Sequence, residues 1–277
     1  MSRRAMPLLT VEDLSVTYRH RDTEVRAVDR VSLSVELGEV VAVVGASGSG
    51  KSTLALALTR LLPSPPAEIR ARAVRFEDAD LLAAPEDELR RLRGGKIAYV
   101  FQDPGSSLNP VLTIGEQLRE TIERHTDTRS RDAKTLAAEW LSRVGIPPAQ
   151  RRLGAYPHEF SGGMQQRVMI AMAMASHPAL LIADEPTSAL DVTVQVQILR
   201  LLRDLQRSLG LSLLLISHDL LVVRRLAHRV VVLSRGAVVE SGPTDEVLRR
   251  PAHPYTRALL EARASMAWRG GATEFDG

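Results

Sequence analysis

The sequence of 277 residues predicts an α/β fold built around a parallel sheet. Short continuous apolar runs, typical of strands buried on both faces, alternate with longer segments rich in Leu and Ala, typical of helices. Polar residues follow directly after several of these runs, as they do where functional groups gather at the carboxyl ends of parallel strands.

Composition excludes several kinds of site. The chain has no cysteine, which excludes disulfides, thiolate metal sites and cysteine-ligated clusters. Its formal net charge is +3, and no long run of one sign marks a nucleic-acid-binding tail. Arg3 and Arg4 are followed by only a few apolar residues before Glu12 and Asp13, so we expect no signal peptide. The longest apolar stretch, residues 168–183, is interrupted by Ser176, His177 and Pro178, so we expect no membrane span.

The first part of the chain predicts strands, a loop and a helix. Val31, Leu33 and Val35 alternate with polar residues, which indicates a half-exposed strand. Residues 40–44 form a wholly apolar run suited to a buried strand. Residues 53–62 are rich in Leu and Ala and predict a helix that the prolines from Pro63 onward end.

Residues 105–163 change character and predict a helical region. Thr113 followed by Glu116 matches a capping box at the start of one helix. A second helix is indicated by apolar residues that recur on one face and by Gly145, a plausible cap, after them. These apolar residues are Ala133, Leu136, Ala137, Trp140, Leu141 and Val144.

The alternation of strand and helix returns in the last part of the chain. Ser161 is a good N-cap for a nearly all-apolar, buried helix over residues 164–176. Residues 180–183 and 213–216 predict central strands, and residues 230–239 predict a hairpin around Ser-Arg-Gly.

One segment fits the phosphate-binding pattern GxxxxGK[ST] at every fixed position. It consists of Gly45, Ala46, Ser47, Gly48, Ser49, Gly50, Lys51 and Ser52. Its glycines let backbone N–H groups point at phosphate oxygens, Lys51 supplies a cation for the β- and γ-phosphates, and the Ser52 hydroxyl can bind Mg²⁺. Only three of the 36 basic residues are Lys, and the others are Arg. The presence of a Lys at this position therefore indicates that the site requires a compact ammonium and not a planar guanidinium. The segment predicts a nucleoside triphosphate site.

Two acids follow the apolar run at residues 180–183. In a protein with a phosphate loop, the first acid, Asp184, is suited to the Mg²⁺ shell, and Glu185 is suited to orient or deprotonate an attacking water. The alternative is a strand end whose carboxylates face solvent.

The segment from Phe160 to Arg167 makes the chain resemble the ATP-binding-cassette (ABC) ATPases. It reads FSGGMQQR and is similar to the LSGGQ signature of that family. Phe160 and Met164 depart from the general pattern and point to a subfamily. The core that contacts phosphate, Ser161-Gly162-Gly163, is intact.

Other motifs around the signature support the resemblance, which covers about residues 8–262. Gln102 stands in a segment like the Q-loop, residues 188–191 resemble the D-loop, and His218 matches the switch histidine. Tyr18 matches the aromatic residue that stacks on adenine.

The resemblance implies a P-loop NTPase (RecA-like) core with an antiparallel β subdomain and an inserted α-helical subdomain. It divides the chain into a first part of the core with the β subdomain (1–104), a helical and signature subdomain (105–163), the second part of the core (164–245) and a C-terminal extension (246–277). The last dozen residues, with Gly270-Gly271, are expected to be disordered.

The resemblance also implies ATP and Mg²⁺ as cofactors and assigns roles in hydrolysis. Glu185 would be the general base and His218 would sense the γ-phosphate. Ser52, Gln102 and Asp184 would surround Mg²⁺, and Gln102 would also take part in catalysis. The nucleotide contacts would come from Tyr18, the loop residues Gly45 to Ser52, Thr53, Ser161, Gly162, Gly163 and Asp191. In the family each ATP lies between one phosphate loop and the partner's signature, so a head-to-tail dimer is implied.

Three segments look like the oligopeptide/dipeptide/nickel importer branch of the family. They are FSGGMQQRVMIAMAM, SLNP followed by TIGE, and HPYT followed by RALL at residues 253–260. The resemblance implies an ATPase at the cytoplasmic face of the membrane, working with a second, non-identical ATPase, two transmembrane permeases and an extracytoplasmic solute-binding protein. Many relatives carry a cysteine cluster after HPYT. This chain has none, so no iron–sulfur cluster is expected.

Peptides are the expected solute, and nickel or another small solute is the alternative within the branch. A soluble ABC ATPase acting on nucleic acid is the alternative from another class. Such proteins usually carry two cassettes in one chain, or coiled-coil or zinc insertions. This chain has one cassette, no cysteine and no sustained heptads, so we expect no nucleic-acid partner. An exporter ATPase is a third alternative, which the subfamily motifs disfavour.

Overall fold

Strands and helices alternate along the chain largely where its apolar patterns predict them. The computed structural model describes residues 7–20, 23–188 and 190–269. Its strands are β1 (Leu9–His20), β2 (Thr23–Val35), β3 (Val40–Val44), β4 (Ala67–Arg70), β5 (Ala73–Phe76), β6 (Ala79–Asp80), β7 (Ile97–Val100), β8 (Leu180–Asp184), β9 (Ser212–Ser217), β10 (Arg229–Ser234) and β11 (Ala237–Pro243).

The helices are concentrated between the seventh and eighth strands and near the C-terminus. They are α1 (Lys51–Leu58), α2 (Glu86–Leu92), α3 (Pro104–Ser107), α4 (Ile114–His125), α5 (Ser130–Arg143), α6 (Ala149–Arg152), α7 (Gly162–Met174), α8 (Val192–Leu209), α9 (Leu220–Leu226), α10 (Thr244–Arg249) and α11 (Pro254–Arg269). The expected disorder of the last dozen residues falls largely on residues 270–277, which lie outside the described part.

The chain divides into two compact units. The first consists of Met1–Leu9, Ser34–Glu39 and Arg75–Leu215, and the second of Thr10–Leu33, Val40–Val74 and Ile216–Gly277.

In the first unit, β8 lies between β9 and β7. β7 and β8 are parallel, with Ile97 opposite Leu180 and Val100 opposite Ala183. All five residues of β8 are buried, which explains the continuous apolar run over residues 180–183. The helical region packs around α7, whose Val168, Ile170 and Ala171 are fully buried.

The predicted helical features of the first unit are confirmed. Thr113 and Glu116 form the capping box of α4, with the Thr113 N–H and hydroxyl donating to the Glu116 carboxylate. Trp140 is fully buried on the apolar face of α5. The chain leaves this helix through Gly145, whose φ is 76°.

In the second unit, β10 lies between β3 and β11. It is parallel to β3 and antiparallel to β11, which confirms the predicted hairpin. Arg235 and Gly236 have φ values of 49° and 82°, which the tight turn requires. β1 pairs with β2 and, antiparallel, with β4.

The prediction that the helix after the phosphate loop runs to Leu62 is wrong. α1 begins at Lys51 and ends at Leu58. The N–H of Leu61 donates to the carbonyl of Leu56 and that of Arg60 to Ala57, and Arg60 has a φ of 52°. This left-handed turn closes the helix before Pro63, so the prolines do not end it.

Candidate functional site

The phosphate-binding loop joins β3 to α1 and has no room for side chains at two of its glycines. A Cβ on Gly45 would lie 2.2 Å from the carbonyl oxygen of Leu233, and one on Gly50 would lie 2.3 Å from that of Ala27. Gly48 and Gly50 have φ values of 75° and 101°, which other residues rarely adopt. The loop therefore requires glycine for its close approaches and for its curvature.

Lys51, the first residue of α1, points its ammonium into this loop. The side chain is buried, and Nζ donates to the carbonyls of Gly45 at 3.1 Å and Ala46 at 2.9 Å. The hydroxyl of Ser49 is buried and has no hydrogen-bond partner among the described residues. Ser52 and Thr53 follow in the first turn of α1 and are half-buried. The helix N-terminus, the ammonium and the unsatisfied hydroxyl together favour an anion.

Two other predicted residues belong to the same unit. Tyr18 is half-buried on β1, opposite Ala67 of β4. His218 is half-buried and directly follows β9. It lies within a turn in which the Asp219 N–H donates to the Ser217 hydroxyl at 2.9 Å.

In the first unit, Asp184 is the last residue of β8 and is 6% exposed. The Tyr99 hydroxyl donates to Asp184 Oδ2 at 3.1 Å. Burial, and next the negative charge of Asp184, raise the pKa of Tyr99 far above its usual range. Tyr99 is therefore a permanent hydrogen-bond donor to this buried carboxylate.

Glu185 follows at once and is held in a strained conformation. Its φ of 45° is in the left-handed region, which is unfavourable for a residue with a side chain. Gln102 Nε2 donates to Glu185 Oε2 at 3.2 Å. The structure thus brings Gln102, Asp184 and Glu185 to one end of the β7–β8 pair.

Tyr99 is a residue that the sequence analysis missed. It lies on β7 opposite Ile182, and its ring is 4.4 Å from that of Phe101, measured between centroids. One feature of the sequence could have identified Tyr99: it is a hydroxyl-bearing aromatic residue in an otherwise aliphatic strand that ends just before Gln102.

The signature residues form the start of α7. Ser161 is the N-cap, and its hydroxyl accepts from the Met164 N–H at 3.4 Å, as predicted for this helix. A Cβ on Gly163 would lie 2.4 Å from Val194 Cγ1, so this glycine lets α7 and α8 approach closely. Ser161 and Gly162 are exposed.

Asp191 caps the next helix. Its Oδ1 accepts from the Val194 N–H at 3.0 Å at the start of α8. Gln195 ties down the preceding loop by donating to the carbonyls of Thr187 and Leu190. A Cβ on Gly162 would lie 3.8 Å from the Leu190 side chain, so the signature and the segment before Asp191 are neighbours. Ala189 of that segment lies outside the described residues.

Comparisons with known proteins find similar sequences along most of this chain. Residues 28–188 match the family described as ABC transporter, and residues 239–274 match the C-terminal region of oligopeptide/dipeptide transporters. The chain is 50% identical over 258 residues to an uncharacterized ABC transporter ATP-binding protein, YejF of Escherichia coli, covering 93% of this chain and 49% of YejF. It thus spans about half the length of that relative.

A relative of more similar length is the oligopeptide transport ATP-binding protein OppD of Bacillus subtilis. It is 45% identical over 263 residues, which cover 95% of this chain and 74% of OppD. Among solved structures, the ATP-binding cassette MJ0796, a dimer in a post-hydrolysis state bound to ADP and Pi, is similar with a TM-score of 0.76. That match has 29% identity and covers 85% of this chain and 98% of MJ0796.

Proposed function

The chain belongs to the ABC transporter family, and from this premise we propose that it is the ATP-binding and ATP-hydrolysing subunit of a peptide importer. The observation that carries the ATPase is the glycine-lined loop with the Lys51 ammonium directed into it. The support for peptides is the match of residues 239–274 to the oligopeptide/dipeptide C-terminal region and the similarity to OppD, an oligopeptide transport ATP-binding protein. Nickel or another small solute is the second candidate.

The loop fits the phosphates of ATP. A Cβ on Gly45 or Gly50 would clash with a backbone carbonyl oxygen, so the loop can take this conformation only with glycine at both positions. The unsatisfied Ser49 hydroxyl offers a further donor. In this role Lys51 and backbone N–H groups of the loop and of the first turn of α1 would hold the phosphates, and Tyr18 would stack on the adenine.

The available oxygen ligands suit Mg²⁺, which prefers carboxylate, hydroxyl and amide oxygens and keeps several of its waters. Ser52, Gln102 and Asp184 would supply these oxygens. When bound, Mg²⁺ neutralises the charge that develops on the transferred phosphoryl group. Tyr99 orients Asp184 through the 3.1 Å hydrogen bond.

Glu185 would act as the general base by accepting a proton from the attacking water. Its hydrogen bond from Gln102 fixes the direction of its carboxylate. His218 would contact the γ-phosphate and report its presence. In an assembled dimer, Ser161, Gly162 and Gly163 would contact the ATP held by the partner subunit's loop, and Asp191 would lie at the same interface.

The subunit would act with two transmembrane permeases, an extracytoplasmic solute-binding protein and a second, non-identical ATPase, at the cytoplasmic face of the membrane. In the described residues no helix is both long and apolar enough to cross a bilayer. The proposal includes the division of the chain into four parts, residues 1–104, 105–163, 164–245 and 246–277.

The proposal is tested by reconstituting the chain in vesicles with its permeases and second ATPase. We expect ATP hydrolysis to rise when a peptide-loaded binding protein is added, and not when the same protein is loaded with a nickel chelate. Stimulation by nickel alone would replace the peptide assignment. Salt-sensitive binding of RNA or DNA by the purified chain would favour the nucleic-acid alternative.

A further inference from the structure

The HPYT segment, residues 253–256, has no role in the function proposed above, yet it contacts the phosphate loop. The backbone N–H of Ala46 donates to the hydroxyl of Tyr255 at 3.0 Å. The two residues are 209 positions apart in the sequence. A residue of the C-terminal extension is therefore bonded directly to the second residue of the loop.

The neighbours of Tyr255 fix its position. His253 Nδ1 accepts from the Tyr255 N–H at 3.1 Å, which caps the start of α11. The Glu240 carboxylate on β11 accepts from the N–H groups of Ala252 at 2.8 Å and His253 at 3.1 Å. Thr256, the next residue along α11, is 2% exposed. These hydrogen bonds hold the backbone of the segment in which Tyr255 stands.

The peptide group of Ala46 is held through its carbonyl as well. That oxygen accepts from Lys51 Nζ at 2.9 Å and from the Ser49 N–H at 3.2 Å. The loop is also held by the β10–β11 hairpin, where the Gly236 N–H donates to the Ser49 carbonyl at 2.9 Å. The Ala46 peptide group is therefore anchored through both its N–H and its carbonyl.

We propose that Tyr255 is a positioning residue that presets the phosphate loop for ATP, so that the seating of the C-terminal segment and the binding of ATP are coupled. A loop already in its binding conformation pays less ordering entropy when the phosphates arrive. Because coupling is reciprocal, bound ATP also stabilises the seated start of α11. This inference rests on the proposed ATP site.

The test is Tyr255→Phe, which removes one oxygen and keeps the ring. We expect the dissociation constant of MgATP for the purified chain to rise about 2- to 10-fold, the range expected for one lost hydrogen bond. The thermal unfolding temperature without nucleotide should change little. Arg257→Ala, an exposed change on the same helix, is the matched control and should leave both values unchanged.

The outcomes separate this inference from the proposed function. If the wild-type chain binds no ATP, the proposed function fails. If the wild type binds ATP and Tyr255→Phe binds it equally well, only the role of Tyr255 fails. Should Tyr255→Phe instead lower the unfolding temperature, amide exchange of the wild type decides. ATP must then slow exchange at residues 254–262, and unchanged exchange there overturns the coupling.

Discussion

Glu185 combines a strained backbone with an oriented side chain. A φ of 45° at a glutamate costs roughly 1–3 kcal/mol, and such strain is typical of functional sites. Gln102 Nε2 donates to Glu185 Oε2 at 3.2 Å and orients the carboxylate. The residue proposed as the general base therefore has both a strained backbone and an oriented side chain.

We expect Glu185→Gln to bind ATP normally but to hydrolyse it at least ~10²-fold more slowly, because the amide cannot accept the proton from water. Single-turnover hydrolysis and equilibrium ATP binding measure the two effects separately. Glu139→Gln, an exposed carboxylate on α5, serves as control. Near-normal hydrolysis by Glu185→Gln would overturn the assignment of the base.

Tyr99 offers a second test at the level of one residue. Tyr99→Phe removes the donor to Asp184, and loss of such an outer partner typically weakens metal affinity 10- to 100-fold. We expect the Mg²⁺ concentration for half-maximal ATP hydrolysis to rise about 10-fold. Tyr156→Phe is the matched control. An unchanged Mg²⁺ dependence would show that Asp184 does not need this hydrogen bond to hold the metal.

At the scale of elements, the close approach of α7 and α8 depends on one glycine. Val194 is β-branched, so its side chain has few rotamers in a helix with which to avoid a new neighbour. A Cβ on Gly163, which would lie 2.4 Å from Val194 Cγ1, could therefore be accommodated only by a shift of one helix or a change at Val194. A Cβ on Gly162 would lie 3.8 Å from Leu190 Cδ2, which is an ordinary van der Waals distance.

We expect Gly163→Ala to lower the free energy of unfolding by about 1–3 kcal/mol, the usual cost of overpacking. Adding Val194→Ala should recover part of this loss, because it removes the clashing methyl. Urea denaturation of the single and double variants gives the coupling energy. Gly162→Ala should be neutral or stabilising, since Ala favours a helix over Gly. Strictly additive effects of Gly163→Ala and Val194→Ala would contradict this account.

At the scale of the whole molecule, the question is how the chain assembles. The similar cassette MJ0796 is a dimer. The resemblance to the ABC ATPases implies that the signature of one subunit would contact the ATP of the other. The proposed function includes a second, non-identical ATPase. The exposed Ser161 and Gly162 of this chain are therefore expected to meet the phosphate loop of a non-identical partner subunit.

We expect Glu185→Gln protein to remain a monomer with MgATP bound, as measured by size exclusion with light scattering. Adding the second ATPase should then produce an ATP-dependent dimer. Dimers of this chain alone would indicate a homodimeric ATPase and exclude the need for a different partner. A monomer that binds no ATP would contradict the whole proposal.

The sequence by itself determined the local features of this protein. Some features depend only on residues a few positions apart, so the sequence predicts them without a structure. They are the buried strand at residues 40–44, the cap at Thr113 and the β10–β11 hairpin. The GxxxxGK[ST] loop is likewise formed by residues that are adjacent in the sequence. Local patterns failed at the end of α1, where a left-handed Arg60 closes the helix before the first proline.

Only the tertiary structure decided which distant residues meet. Tyr99 and Asp184 are 85 positions apart, Gln102 and Glu185 are 83 apart, and Ala46 and Tyr255 are 209 apart. The physical reason is that a single hydrogen bond of about 1 kcal/mol cannot close such loops by itself. These contacts form because strand pairing and core packing bring their elements together, and no short sequence pattern records that result.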